Sequence, residues 1–143
     1  MKFWDASAVI PLCIEEPQTK AVQDIAKKDE ALIVWWGSLI ECHSAFARLQ
    51  RDGYLRPTEE DQVREILSSL ESAWTEMEPS EDIRDIALRL LFSHPLRAAD
   101  SLQLAAAIVW ADKKPKGHHF VCCNNRLRET AKKEGFSVLP KTL

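Results

Sequence analysis

The chain has 143 residues, 45% of them hydrophobic and 29% charged, the composition of one soluble globular domain large enough to bury a sizeable core. No apolar run is long enough to span a membrane, and the start, Met1-Lys2-Phe3-Trp4-Asp5, meets an acid before a signal core can form, so a cytosolic location is expected. The net charge of −3 is uneven: residues 1–94 hold 10 Lys+Arg against 18 Asp+Glu, net −8, and residues 95–143 hold 9 against 4, net +5. A basic C-terminal third suits a phosphate-bearing partner, although basic residues scattered over helix ends also make an ordinary solvated face.

The apolar pattern alternates short runs with helical segments, with no repeat, low-complexity tract or linker, so residues 1–143 form a single domain. Residues 2–5 read as a buried strand. Ala6 to Ile14 follows as a short helix, capped by Asp5 or Ser7 and ended before Glu16-Pro17. Gln18 to Lys28 is a second helix with Ala21, Val22, Ile25 and Ala26 on one face. Ala31 to Val34 is a second buried strand. Ser38 to Arg51 is a helix stopped by Asp52-Gly53. Thr58-Glu59-Glu60-Asp61 opens another, running to about Ser72, with the pattern of a capping box. Trp74 to Met77 is a short strand, and Ser80 caps a helix to Phe92. After Pro95, Ala98 to Ala111 reads as a buried helix. Lys114-Pro115-Lys116-Gly117 is a turn, His118 to Cys122 a strand, Asn125 to Lys133 a helix and Phe136 to Leu139 a last strand. Strands alternating with helices predict an α/β three-layer sandwich: a mostly parallel sheet flanked by helices.

Three acids stand where acids are costly. Asp5 closes the first apolar strand, Glu41 lies in the helix opened by Trp36-Gly37-Ser38, and Asp100 lies in the nearly all-apolar helix that Arg97 opens. An ionised carboxylate leaves water only when paired, hydrogen-bonded or bound to a metal. Sites in such sheets form beyond the carboxyl ends of the strands, where Asp5 and Asn124 fall; Glu41 and Asp100 fall early in helices, where the dipole favours carboxylates. Each has a plainer explanation. Asp5 is a natural N-cap. Glu41, among the small or polar Gly37, Ser38, Ser44 and Ala45, has Arg48 as an ordinary surface partner. Asp100 can rest on backbone N–H groups or on Arg97.

His118, His119, Cys122 and Cys123 invite a zinc reading, which strand geometry rejects. Successive side chains point to opposite faces, and His118 and Cys122 stand ~13 Å apart at ~3.3 Å per residue. Cys13, Cys42, Cys122 and Cys123 show no disulfide-framework spacing and are expected as reduced thiols. The tryptophans read as core and interface residues.

Four segments, in order, resemble the PIN-domain ribonucleases of the VapC toxin type. They are Phe3-Trp4-Asp5-Ala6-Ser7-Ala8, Trp35-Trp36-Gly37-Ser38-Leu39-Ile40-Glu41, the run from Arg97 to Ala107, and Phe120-Val121-Cys122-Cys123-Asn124-Asn125-Arg126-Leu127. The resemblance covers nearly the whole chain. It implies a parallel sheet flanked by helices and an acidic site for Mg²⁺ (or Mn²⁺) that cleaves RNA, with Asp5, Glu41 and Asp100 as metal ligands and Ser7 as the small hydroxyl residue beside the first acid. It also implies a cognate antitoxin protein and a homodimer. The family's fourth motif, Thr-x-Asp, here places Cys122 and Asn124. An Asn oxygen still suits a hard cation but brings no charge, so a weaker second metal site, slower turnover or lost activity is expected.

The function that follows is metal-dependent endoribonuclease chemistry by a toxin of a toxin–antitoxin pair. Asp5, Glu41, Asp100 and Asn124 carry it, and Arg97, Lys116, Arg126 and Arg128 are candidate phosphate contacts. The alternative is a degenerate PIN domain that binds RNA or protein with little or no cleavage because of Asn124. A third class, phosphoaspartate chemistry at Asp5, lacks the second acid that it needs, since Asp-Ala-Ser stands where Asp-x-Asp is wanted.

Overall fold

The computed structural model describes residues 1–143. Five strands form one sheet: β1 (Lys2–Trp4), β2 (Leu32–Trp35), β3 (Thr75–Met77), β4 (His119–Val121) and β5 (Ser137–Leu139). All pairings are parallel, in the order β3-β2-β1-β4-β5. The helices are α1 (Ala6–Cys13), α2 (Thr19–Lys27), α3 (Ser38–Arg51), α4 (Pro57–Ala73), α5 (Glu81–Ser93), α6 (Ala98–Trp110) and α7 (Asn125–Glu134).

The period-2 alternation of short strands divides the core into two halves. Phe3, Ile33 and Phe120 point to one face, where α5, α6 and α7 supply Ile83, Leu90, Leu104 and Leu127. Trp4, Val34 and Val121 point to the other, where α1, α2, α3 and α4 supply Val9, Val22, Phe46 and Leu67. Each such side chain contributes roughly 1.5–3 kcal/mol on full burial, so a sheet of three- and four-residue strands is held chiefly by its covering helices. No helix is long and apolar enough to cross a membrane.

The predicted elements are all present, with ends moved by a residue or two. The largest local difference is at α4. Thr58 is not the cap: Pro57 begins the helix, and Glu59 reaches back to accept from the Arg56 backbone N–H at 3.0 Å. Pro suits that first position because its missing N–H would be unpaired there anyway. The strand read as His118 to Cys122 shortens to its central three residues, because Cys122 already turns toward the site.

Strand order reverses direction between β1 and β4: β2 and β3 extend one way, β4 and β5 the other. Such a switch point opens a crevice at the carboxyl ends of the strands. The Asp5 backbone N–H donates to Val121 O at 2.9 Å, fastening the residue after β1 to the end of β4.

Candidate active site

Asp5 caps α1 and is buried. The Ser7 backbone N–H donates to its Oδ2 at 3.1 Å, the Ser7 hydroxyl donates to the same atom, and Cys122 Sγ lies 3.6 Å away. Every one of these contacts falls on Oδ2, so Oδ1 is left without a hydrogen bond. The plainer explanation holds: Asp5 caps the helix, and it does so with one oxygen. Ser7 also accepts from the Cys123 backbone N–H at 2.9 Å, tying the loop after β4 to the loop after β1.

Glu41 sits in the first turn of α3 and Asp100 in the first turn of α6. The expected Glu41–Arg48 pair does not form; Glu41 instead accepts from the buried amide of Gln103. Burial pushes the Glu41 carboxyl up to about 7, against the bond from Gln103, with Asp5 and Asp100 adding like-charge repulsion. Burial raises Asp5, whose bonds from Ser7 oppose the rise and whose neighbour Asp100 adds to it. Asp100 is raised by burial too, against the positive fields of Arg126 and Arg97. The three acids therefore share one electrostatic field, although their side chains do not close on one point: no three His, Cys, Asp or Glu side chains form a group able to clasp an ion.

Two of these acids border a polar cavity of about 660 Å³, which Asp5 does not line. Glu41 and Asp100 line it, with Arg48, Arg97 and Arg126 around them and Asn124 and Asn125 at the α7 end. Asn124 caps α7, its Oδ1 accepting from Leu127 N at 3.1 Å, which leaves its NH₂ group for the cavity.

Two of the four predicted phosphate contacts are not there. Lys116 lies in the turn before β4, at the amino end of a parallel sheet whose acids sit at the carboxyl end. Arg128 is buried, and its guanidinium donates to the carbonyls of Cys122 (2.7 Å), Pro140 and Lys141. Arg97 and Arg126 do line the cavity. Sequence reasoning placed Arg48 only as a surface partner and missed Gln103 altogether. The available signal was a lone amide in an otherwise apolar helix, one turn after Asp100. His118 packs edge-on against Trp110 with ring centres 5.1 Å apart, and Cys122 faces Ser7 and Asp5, so the two go separate ways.

Mg²⁺ and Mn²⁺ take hard oxygen donors. In donor type the carboxylates of Asp5, Glu41 and Asp100 suit such a cation, with Asp5 Oδ1 free of hydrogen bonds, although the three are not gathered into one chelating group.

No protein-family model and no curated protein matches the chain. Solved structures do. VapC20 of Mycobacterium tuberculosis, described as a sarcin–ricin loop cleaving toxin, aligns with TM-score 0.64 at 15% identity over 96% of this chain and 97% of the other. A toxin–antitoxin complex from Klebsiella pneumoniae aligns with TM-score 0.62 at 15% identity over 88% of each chain. FitAcB from Neisseria gonorrhoeae aligns with TM-score 0.65 at 13% identity over 96% of each. Seven helices around a five-stranded parallel sheet, with its acids at the carboxyl ends of the strands, therefore give this chain the α/β fold of the VapC-type PIN toxins.

Proposed function

We propose that the chain is a Mg²⁺- or Mn²⁺-dependent endoribonuclease, the toxin of a toxin–antitoxin pair, acting in the cytoplasm. The observation that carries this reading is the meeting of Glu41 and Asp100, from two separate helices, at one polar cavity with Arg48, Arg97 and Arg126, beside the buried Asp5 at the strand switch point. Asp5, Glu41 and Asp100 are the residues that would hold the cation. When bound, it supplies Lewis-acid polarisation of a phosphoryl oxygen and neutralises charge developing there.

The chain's own groups do the rest. Ser7 fixes Asp5 by gripping Oδ2. Arg48, Arg97 and Arg126 give guanidinium forks suited to phosphate oxygens. Asn124, with its oxygen committed to the α7 cap, offers an N–H donor to a phosphate or to the attacking water. The names of the structural neighbours, one a sarcin–ricin loop cleaving toxin and one a toxin–antitoxin complex, support the same reading. Cleavage of RNA that stops with EDTA and is lost in Asp5→Asn and Asp100→Asn is the expected result. Cleavage that persists in the double variant sinks it.

The antitoxin's seat in this reading is the groove beside the acids. Two hollows of about 340 and 360 Å³ share Glu16 and Leu49 and run from Ser7, Arg48 and Asn124 at the acids out to Tyr54 and Leu55. An apolar segment laid there would bring a basic residue to the carboxylates. A second copy of the chain suits the outer face of α5, where Leu88, Leu91 and Phe92 are exposed.

The capping role of Asn124 favours one rival: a degenerate domain that binds RNA or protein without cutting. Comparison with Asn124→Asp separates the two. Cleavage by the variant alone establishes the rival; equal cleavage by both removes it.

A further inference from the structure

Gln103 is fully buried in α6, in a run that is otherwise serine, leucine, alanine and isoleucine. It stands three residues after Asp100, so the two share one face of α6, a turn apart. On α3, Ser38 and Glu41 are also three residues apart and share a face. These faces meet through one side chain. Gln103 Nε2 donates to Ser38 Oγ at 2.8 Å and to Glu41 Oε2, spanning sixty-two residues of sequence to reach the acid.

The other half of that amide has nothing to hold. Gln103 Oε1 is buried and has no hydrogen-bond partner. A buried carbonyl oxygen without a donor costs stability, a cost that an apolar side chain of similar volume would not carry. Stability alone does not account for glutamine at this position. Its contacts account for it: one donor group fixes the first turn of α3 and the carboxylate that α3 presents.

We infer that Gln103 is the positioning residue for Glu41, holding its carboxylate opposite Asp100 so that the cleft is ready to receive a divalent cation. This rests on the nuclease reading of the same acids and adds to it the residue that organises them. Residues that orient metal ligands from behind characteristically act through affinity rather than through the fold.

The test is calorimetric titration of Mn²⁺ and Mg²⁺ into the wild-type chain, Gln103→Met, Glu41→Gln and the double variant. Gln103→Met is expected to weaken cation binding about tenfold or more in a chain that still melts cooperatively. The double variant is expected to bind as Glu41→Gln alone does, because Gln103 acts through Glu41. Unchanged affinity in Gln103→Met overturns the inference, as does a double variant whose loss is the product of the two single losses. Should Gln103→Met fail to fold, Ser38→Ala carries the same test by removing the amide's other anchor; affinity equal to wild type there overturns the inference. A wild-type chain that takes up neither cation removes the nuclease reading itself, a result distinct from wild-type binding that Gln103→Met leaves intact.

Discussion

Ser7 grips Asp5 twice through one oxygen, with its backbone N–H and its hydroxyl both donating to Oδ2. The same hydroxyl oxygen accepts from Cys123 N, so one side chain joins the first acid to the loop that carries Asn124. Ser7→Ala removes the hydroxyl's bond to Asp5 and leaves the Cys123 N–H unpaired. The expected cost is about 1–3 kcal/mol in urea unfolding, with weaker Mn²⁺ binding by calorimetry. Unchanged binding in a destabilised variant would reduce Ser7 to a structural role.

Gly37 precedes α3, and a Cβ there would stand 2.5 Å from Trp35 Nε1. Trp35 is a buried member of the core, so in Gly37→Ala either its indole or the start of α3, which carries Ser38 and Glu41, has to move. Overpacking of this kind costs about 1–3 kcal/mol, read as a lowered melting temperature, and RNA cleavage is expected to fall in parallel. A variant as stable and active as wild type would show that the tryptophan yields.

Arg126 and Arg128 are two residues apart on α7 and are expected to fail in opposite assays. Arg126 is exposed at the cavity, so Arg126→Ala should leave unfolding unchanged, weaken RNA binding, and lower the salt dependence by about one charge. Arg128 is buried on three backbone carbonyls, so Arg128→Met should cost about 3 kcal/mol of stability through bonds from a charged donor. RNA affinity of the folded Arg128→Met protein should match wild type. Weaker RNA binding with the salt slope lowered by about one charge in Arg128→Met would return that residue to the phosphate set.

These two arginines show where sequence ran out. The strands and helices were legible because short apolar runs in residues 2–5 and 31–34 and caps such as Ser80 are local signals. Asp5, Glu41 and Asp100 were legible because an acid among apolar neighbours demands an explanation. Arg128 was not, because its partners Pro140 and Lys141 lie in a tail whose return over α7 leaves no mark in the local pattern. Gln103 was missed for the same reason: a single amide in an apolar helix has meaning only beside Ser38 and Glu41, more than sixty residues upstream. Lys116 was placed by charge alone, and charge does not say at which end of a strand a residue lies.

The outer face of α5 tests the homodimer. Phe92 is 92% exposed, and Leu88 and Leu91 stand beside it on the exposed side of the helix. If a second copy covers that face, Leu91→Glu with Phe92→Lys converts a sedimenting dimer into a monomer and leaves the melt of the isolated chain nearly unchanged, because neither side chain is part of the core. A variant that sediments as wild type places any dimer contact elsewhere.

The pH dependence follows from the direction of the acid shifts. Glu41 titrates near 7 in the folded chain against an ordinary value of 4.5, so between those pH values the folded state binds more protons than the unfolded state. Stability contributed by this group is whole below about pH 4.5 and declines as pH rises toward 7. Asp5 and Asp100, also raised, act in the same direction. Glu41→Gln removes the group, so with EDTA present the variant should gain on wild type across that window in thermal melts, isolating Glu41 from the surface pairs. A cation binds the ionised carboxylates and displaces their protons. Mn²⁺ affinity in wild type should therefore rise from pH 6 to 7 and level off above, while Glu41→Gln should show a shallower rise. Identical pH profiles for the two proteins, in melts and in Mn²⁺ binding, would mean that Glu41 titrates as an ordinary surface carboxylate and stands outside the site.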